Sequence, residues 1–94
     1  MLFMDIMTWE PKDDEEINKR YMTWEYPKGY NVISEWLDLS SCRIFIVYEL
    51  DNEEAYARAV FPWKGISKLE TIPIMTPEKA IEIGEKMEAE MAKA

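Results

Sequence analysis

At 94 residues the chain has room for one domain, and a domain of this size buries only roughly 60–65% of its unfolded surface. Yet 48% of it is hydrophobic, with seven Met, four Trp, five Tyr and three Phe, which excludes intrinsic disorder and exceeds what one thin core absorbs. Eleven Lys and Arg against nineteen Asp and Glu give a net charge of −8, so neither nucleic acid nor an anionic membrane surface is an expected partner. The absence of histidine removes His-based triads, histidine zinc centres and histidine-ligated haem.

The first predicted element is a strand over Met1–Trp9, apolar on both of its faces. Its start resembles a signal core only briefly, since it has no positive leader and carries Asp5 at its middle. No apolar run reaches the ~20 residues that span a bilayer, and one cysteine, Cys42, fits a reducing compartment. A cytoplasmic protein is expected. Glu10-Pro11-Lys12-Asp13 ends the strand, and Asp13 or Asp14 caps a helix running to about Trp24 with Ile17, Tyr21 and Trp24 as its apolar stripe. Pro27-Lys28-Gly29 turns the chain.

Strands are expected over Tyr30–Leu39 and Arg43–Leu50, joined by the short Ser40-Ser41-Cys42 connection. Asp51 and Glu54 have the spacing of a capping box for a helix over Asn52–Val60, with Ala55, Tyr56, Ala59 and Val60 inward. A fourth strand over Ser67–Met75 contains Pro73, which cannot donate to a ladder and so makes it an edge strand or a strand with a break. Thr76-Pro77-Glu78 starts a last helix, about 77–93, with Ala80, Ile83, Met87 and Met91 on one stripe.

The order β-α-β-β-α-β with an added C-terminal helix is the ferredoxin-like plan: α+β, one antiparallel sheet over residues 1–94, both crossover helices on one face. Strand alternation assigns Ile44, Ile46, Tyr48 and Leu50, matched with Leu2, Met4 and Ile6, to the helix-covered side. Phe3, Asp5, Met7 and Trp9, with Arg43, Phe45, Val47 and Glu49, are then expected on the bare side. An apolar patch of that size needs a cover, and a second copy in a two-fold homodimer is the simplest one.

Met1-Leu2-Phe3-Met4, Thr8-Trp9, Ser34-Glu35-Trp36, Trp63 and Leu69-Glu70-Thr71-Ile72-Pro73-Ile74 carry a resemblance to an uncharacterised family of short proteins in the dimeric α+β-barrel superfamily. It covers about the first 75 residues. The resemblance implies a homodimer whose two sheets face each other and enclose a pocket. Activities in that superfamily include cofactor-independent oxygenation by monooxygenases, isomerisation and haem degradation, the last of which relies on a histidine this chain lacks.

The expected site combines Asp5 and Glu49, carboxylates able to act as general acid or base in an apolar pocket, with Trp9, Trp36, Phe45 and Val47 as its ligand-binding walls. The alternatives are that the carboxylates form ion pairs at the barrel mouth and that the aromatics fill a packed interior in a structural, non-enzymatic assembly module. Asp13-Asp14-Glu15-Glu16 lacks the spacing of a calcium loop and suits a helix N-terminus; no metal and no cofactor are expected. Cys42 has no histidine to activate it. The reading is therefore a homodimeric protein that binds a small apolar molecule.

Overall fold

Residues 1–93 are described by a computed structural model, in which every expected element forms and in the expected order. The strands are β1 (Leu2–Thr8), β2 (Tyr30–Leu37), β3 (Arg43–Leu50) and β4 (Lys68–Ile74). The helices are α1 (Asp14–Met22), α2 (Glu53–Val60) and α3 (Pro77–Lys93). The sheet runs β2-β3-β1-β4 with every neighbouring pair antiparallel, the ferredoxin-like arrangement with an extra C-terminal helix. Pro73 sits in β4, an edge strand, where its missing donor costs no ladder bond on the solvent side. Among the described residues no helix is long and apolar enough to cross a membrane.

Local chemistry shapes the joints. A 3-10 turn over Pro11–Asp13 leads into α1, whose first turn carries Asp14, Glu15 and Glu16 against the positive end of its dipole. Asp13 makes no side-chain cap bond. Gly29 has φ +96°, and a Cβ there would lie 3.0 Å from the Cβ of Ala55, so backbone conformation and close packing on α2 both demand glycine. The cap of α2 is Asn52, whose side chain accepts from the Ala55 N–H at 2.9 Å, one residue later than the expected Asp51 box. Phe61–Trp63 then forms a 3-10 turn that delivers Trp63 into the core.

The cross-strand register corrects the expected facing of β1. Residues opposite one another in an antiparallel pair point to the same side, and Phe3, Asp5 and Met7 lie opposite Tyr48, Ile46 and Ile44. Asp5, Met7, Trp9, Ile44, Ile46 and Tyr48 are accordingly all buried beneath the helices. The open side instead carries Leu2, Met4 and Ile6 with Phe45, Val47, Ile72 and Ile74, all half-buried. Both sides of β1 are apolar, so alternation within that strand could not set its parity.

β2 holds a bulge between Val32 and Ser34. Tyr30 and Val32 lie opposite Leu50 and Tyr48, on the covered side, whereas beyond the bulge it is Glu35 and Leu37 that lie opposite Ile46 and Ile44. One extra residue thus moves Glu35 to the covered side and turns Ser34 and Trp36 to the open one.

α3 stands apart. None of its residues is buried, and Ile81, Ile83, Met87 and Met91 are exposed. It makes the molecule elongated, 58 × 30 × 19 Å, with a radius of gyration of 17.1 Å against roughly 12 Å for a compact domain of this length.

Candidate functional site

Asp5 is 2% exposed, near the middle of a central strand. Three hydroxyls donate to it: Tyr30 at 2.8 Å, Tyr48 at 2.7 Å and Thr71 at 2.7 Å. The Thr71 hydroxyl has one proton and gives it to Asp5, so the 2.6 Å contact between Tyr56 and Thr71 has Tyr56 as its donor. Each partner comes from a different element, so the network ties β1 to β2, β3 and β4, and through Tyr56 to α2.

A second carboxylate lies on the same side of the sheet. Glu35 accepts from the hydroxyls of Tyr21, at 2.8 Å, and Tyr26. An aromatic ladder joins the two acids. Tyr26 stacks on Tyr30 with centroids 5.2 Å apart, Tyr30 on Tyr48 at 3.9 Å, and Tyr48 on Phe3 at 5.8 Å. Trp24 meets Tyr26 and Trp63 edge-on. Burial, and after it the bond to Glu35, pushes the Tyr21 hydroxyl up to about 12. Tyr26, Tyr30 and Tyr48 are also pushed up, first by burial and then by their neighbouring carboxylates. All four remain protonated donors across the physiological range.

Two spaces adjoin this network. The first is a cavity of about 30 Å³ lined by Asp5, Met7, Trp24, Tyr26, Tyr30 and Trp63 among others, room for a water molecule and little else. The second is an open cleft of about 310 Å³ between α1 and the β2 edge. Its walls are Met7, Trp9, Ile17, Leu37 and Ile44, its rim is Trp36, and its polar groups are Asn18 and Glu35. Tyr21 lines both spaces, as do Met7 and Ile44. The Trp9 indole N–H donates to Asp14 at 2.8 Å, which fixes that wall.

The six expected site residues divide between two surfaces. Asp5 and Trp9 lie on the covered side, Trp9 in the wall of the cleft and Asp5 behind it. Trp36, 65% exposed, borders the cleft from the β2 edge while its register position, beside Phe45, is on the open side. Phe45, Val47 and Glu49 are on the open side, where Glu49 lies 3.5 Å from the N-terminal amine and Arg43 stands 5.1 Å from the Phe45 ring. Asp5 and Glu49 therefore do not face one pocket: their strands are neighbours, but their side chains point to opposite sides of the sheet.

The residues missed by reading the sequence are Glu35 and the Tyr21–Tyr26–Tyr30 set that surrounds the cavity. Period-two alternation puts Glu35 opposite in parity to Tyr30, and only the bulge brings them to one side. Among the described residues no cluster of three His, Cys, Asp or Glu side chains is arranged to hold a metal ion. Cys42 is free, and burial followed by Asp14 pushes its thiol up, away from nucleophilic thiolate.

Residues 1–88 match the model of a family described as a domain of unknown function, DUF3303. No curated protein and no solved structure matches the chain.

Proposed function

Because the chain belongs to the DUF3303 family, a domain of unknown function, we propose its role from the cleft: it binds a small, largely apolar molecule between α1 and β2, as a cytoplasmic homodimer. The observation that carries this reading is the 310 Å³ space with a mainly apolar wall and one carboxylate held in place by two tyrosine hydroxyls. Ligand sites have this composition, a hydrophobic enclosure with few fixed polar groups, and about this volume. Asp5 is the deeper acid, lining the cavity that shares Met7, Tyr21 and Ile44 with the cleft.

The homodimer rests on the open side of the sheet. Leu2, Met4, Ile6, Phe45, Val47, Ile72 and Ile74 form one continuous apolar face, and the exposed stripe of α3 begins beside it, where Ile83 shares a groove with Leu2 and Ile74. A second copy covers both at once, and a self-complementary face closes a two-fold dimer without leaving an edge. The charges at its margin are of both signs, with Arg43, Lys68 and Glu70 toward one end of the face and Glu49 at the other, so two copies need not repel.

Two measurements test the proposal. Titration with indole, a neutral planar probe, followed by methyl NMR, is expected to shift Met7, Ile17, Leu37 and Ile44. A Leu37→Trp variant, which fills the cleft, is expected to abolish those shifts. Absence of shifts at solubility-limited indole overturns the ligand reading. Sedimentation equilibrium is expected to give twice the 11.2 kDa chain mass; a monomer at micromolar concentration overturns the dimer.

A further inference from the structure

The cleft and the cavity behind it contain no basic group. Neither lining includes a Lys or an Arg, and the chain has no histidine. Of the five ion pairs among the described residues, none involves Asp5 or Glu35, and the basic members, Lys12, Arg20, Arg43, Arg58 and the N-terminal amine, are engaged elsewhere. Arg20, next to Tyr21 in sequence, turns away to Glu16 and to the Pro62 carbonyl. Among the described residues the hydrogen-bond partners of Asp5 and Glu35 are thus all neutral hydroxyls.

Around these two acids stand the faces and edges of aromatic rings. Trp9, Tyr21 and Trp36 border the cleft, and Trp24, Tyr26, Tyr30 and Trp63 border the cavity. Asp14 adds a third carboxylate at the Trp9 wall. Aromatic rings carry negative charge on their faces and hold cations, and an anion with no countercharge gains most from a ligand that supplies one. The whole-molecule charge of −8 steers cations inward and repels anions.

We infer that the ligand of this cleft is an organic cation, an ammonium group on a small apolar or aromatic body, with Glu35 as its anchoring carboxylate and Trp9, Tyr21 and Trp36 as its aromatic walls. The inference rests on the cleft being a ligand site and adds the class of ligand. Each oxygen of Glu35 accepts one tyrosine proton and keeps a lone pair for an N–H donor. The two tyrosines orient the carboxylate without neutralising it.

The test uses three probes that share one ring and differ in charge: benzylamine, benzyl alcohol and benzoate, titrated into the intact protein at neutral pH by calorimetry. Benzylamine is expected to bind at least about tenfold more tightly than benzyl alcohol, with benzoate weakest. In Glu35→Gln, which removes the charge, keeps one of the two acceptor oxygens on an exposed edge strand and leaves the core alone, the advantage of benzylamine over benzyl alcohol is expected to fall to about twofold or less. Equal or tighter binding of benzyl alcohol in the native protein overturns the cation inference while leaving the cleft as a ligand site. An undiminished benzylamine preference in Glu35→Gln also overturns it. If none of the three probes binds, the ligand reading and the inference fall together.

Discussion

The two sides of the one sheet solve opposite problems with neighbouring residues. On the covered side a carboxylate is buried, and every donor around it is turned toward it: Tyr30, Tyr48 and Thr71 reach Asp5, and Tyr56 backs Thr71. On the open side nothing polar is buried; apolar side chains stay half-exposed and charges stand at the margin, as Glu49 and Arg43 do. The covered side is packed beneath the chain's own helices up to the cleft at the β2 edge, and its buried polar groups are satisfied, with no unpartnered buried side-chain polar atom among the described residues. The open side is closed by nothing in its own chain. Buried polar pairing is concentrated on the first side and exposed apolar surface on the second.

Two adjacent residues of β3 put that contrast to its most severe test. Ile46 is buried opposite Asp5, and Val47 faces the open side opposite Met4. An Ile46→Asp substitution sets a second carboxylate against Asp5 in an enclosed space, at an expected cost of about 4 kcal/mol or more, enough to unfold a domain of this size. Val47→Asp is expected to cost no more than about 1–2 kcal/mol and to raise the dimer dissociation constant by about a hundredfold. Urea unfolding followed by circular dichroism, with sedimentation velocity on the same samples, reads both quantities. Equal losses of stability in the two variants would break the distinction between the sides.

A smaller loss distinguishes what Asp5 does from what its burial does. Asp5→Ala leaves three buried hydroxyls without their acceptor, and hydrogen bonds to a charged group are each worth about 1.5–3 kcal/mol. Part of this is recovered by relaxation, so the expected loss is about 3–5 kcal/mol. Asp5→Asn keeps one acceptor oxygen, and its expected loss is about 1–3 kcal/mol. Replacing Asp5 and its three donors by Asp5→Leu, Tyr30→Phe, Tyr48→Phe and Thr71→Val together is expected to regain more than half of the alanine loss, because apolar replacement of both partners removes the donors left unpaired around Asp5. Denaturant midpoints of the three proteins decide it; a quadruple variant no better than Asp5→Ala would mean that the polar network itself stabilises the fold.

How legible this was from the sequence depended on which signals are local. Element order, the edge placement of β4 from Pro73, and the covered side of β3 all follow from spacing within one segment, and each agrees with the structure. The side on which β1 lies does not, because Leu2, Met4 and Ile6 are as apolar as Phe3, Met7 and Trp9, and only the pairing of Asp5 with Ile46 resolves the tie. Glu35 was hidden by a bulge that no nearby glycine announces, since Val32, Ile33 and Ser34 read as an unbroken strand. Trp9 and Trp36, expected from their residue type as ligand-binding walls, both border the cleft. Their companions Tyr21, Tyr26 and Tyr30 come together only through a turn whose course depends on Gly29.

The gentlest perturbation is proton release at high pH, and it falls on the covered side alone. The four tyrosines whose hydroxyls donate to Asp5 and Glu35 all lie there, while the open side carries none. Each has a folded-state value raised above the ordinary 10.0, so the unfolded chain gives up these protons first and binds fewer of them. Stability from this source is therefore fully present below pH 10 and declines above it, through about 12 for Tyr21 and higher for the more deeply buried three. The slope of stability against pH counts the protons, and Tyr21→Phe is expected to reduce it by up to one between pH 10 and about 12, with the reduction lessened by Tyr21 being 40% exposed. Tyrosinate absorbance from Tyr26, Tyr30 and Tyr48 should rise together with the loss of circular dichroism, since these more deeply buried phenols ionise only as the covered side opens, whereas Tyr21 ionises ahead of it. The Val47→Asp protein, altered only on the open side, should show the same slope as the native one. A shallower slope in that variant would mean that the two sides are coupled through β3, and that association over the open side tightens the hydroxyl network behind it.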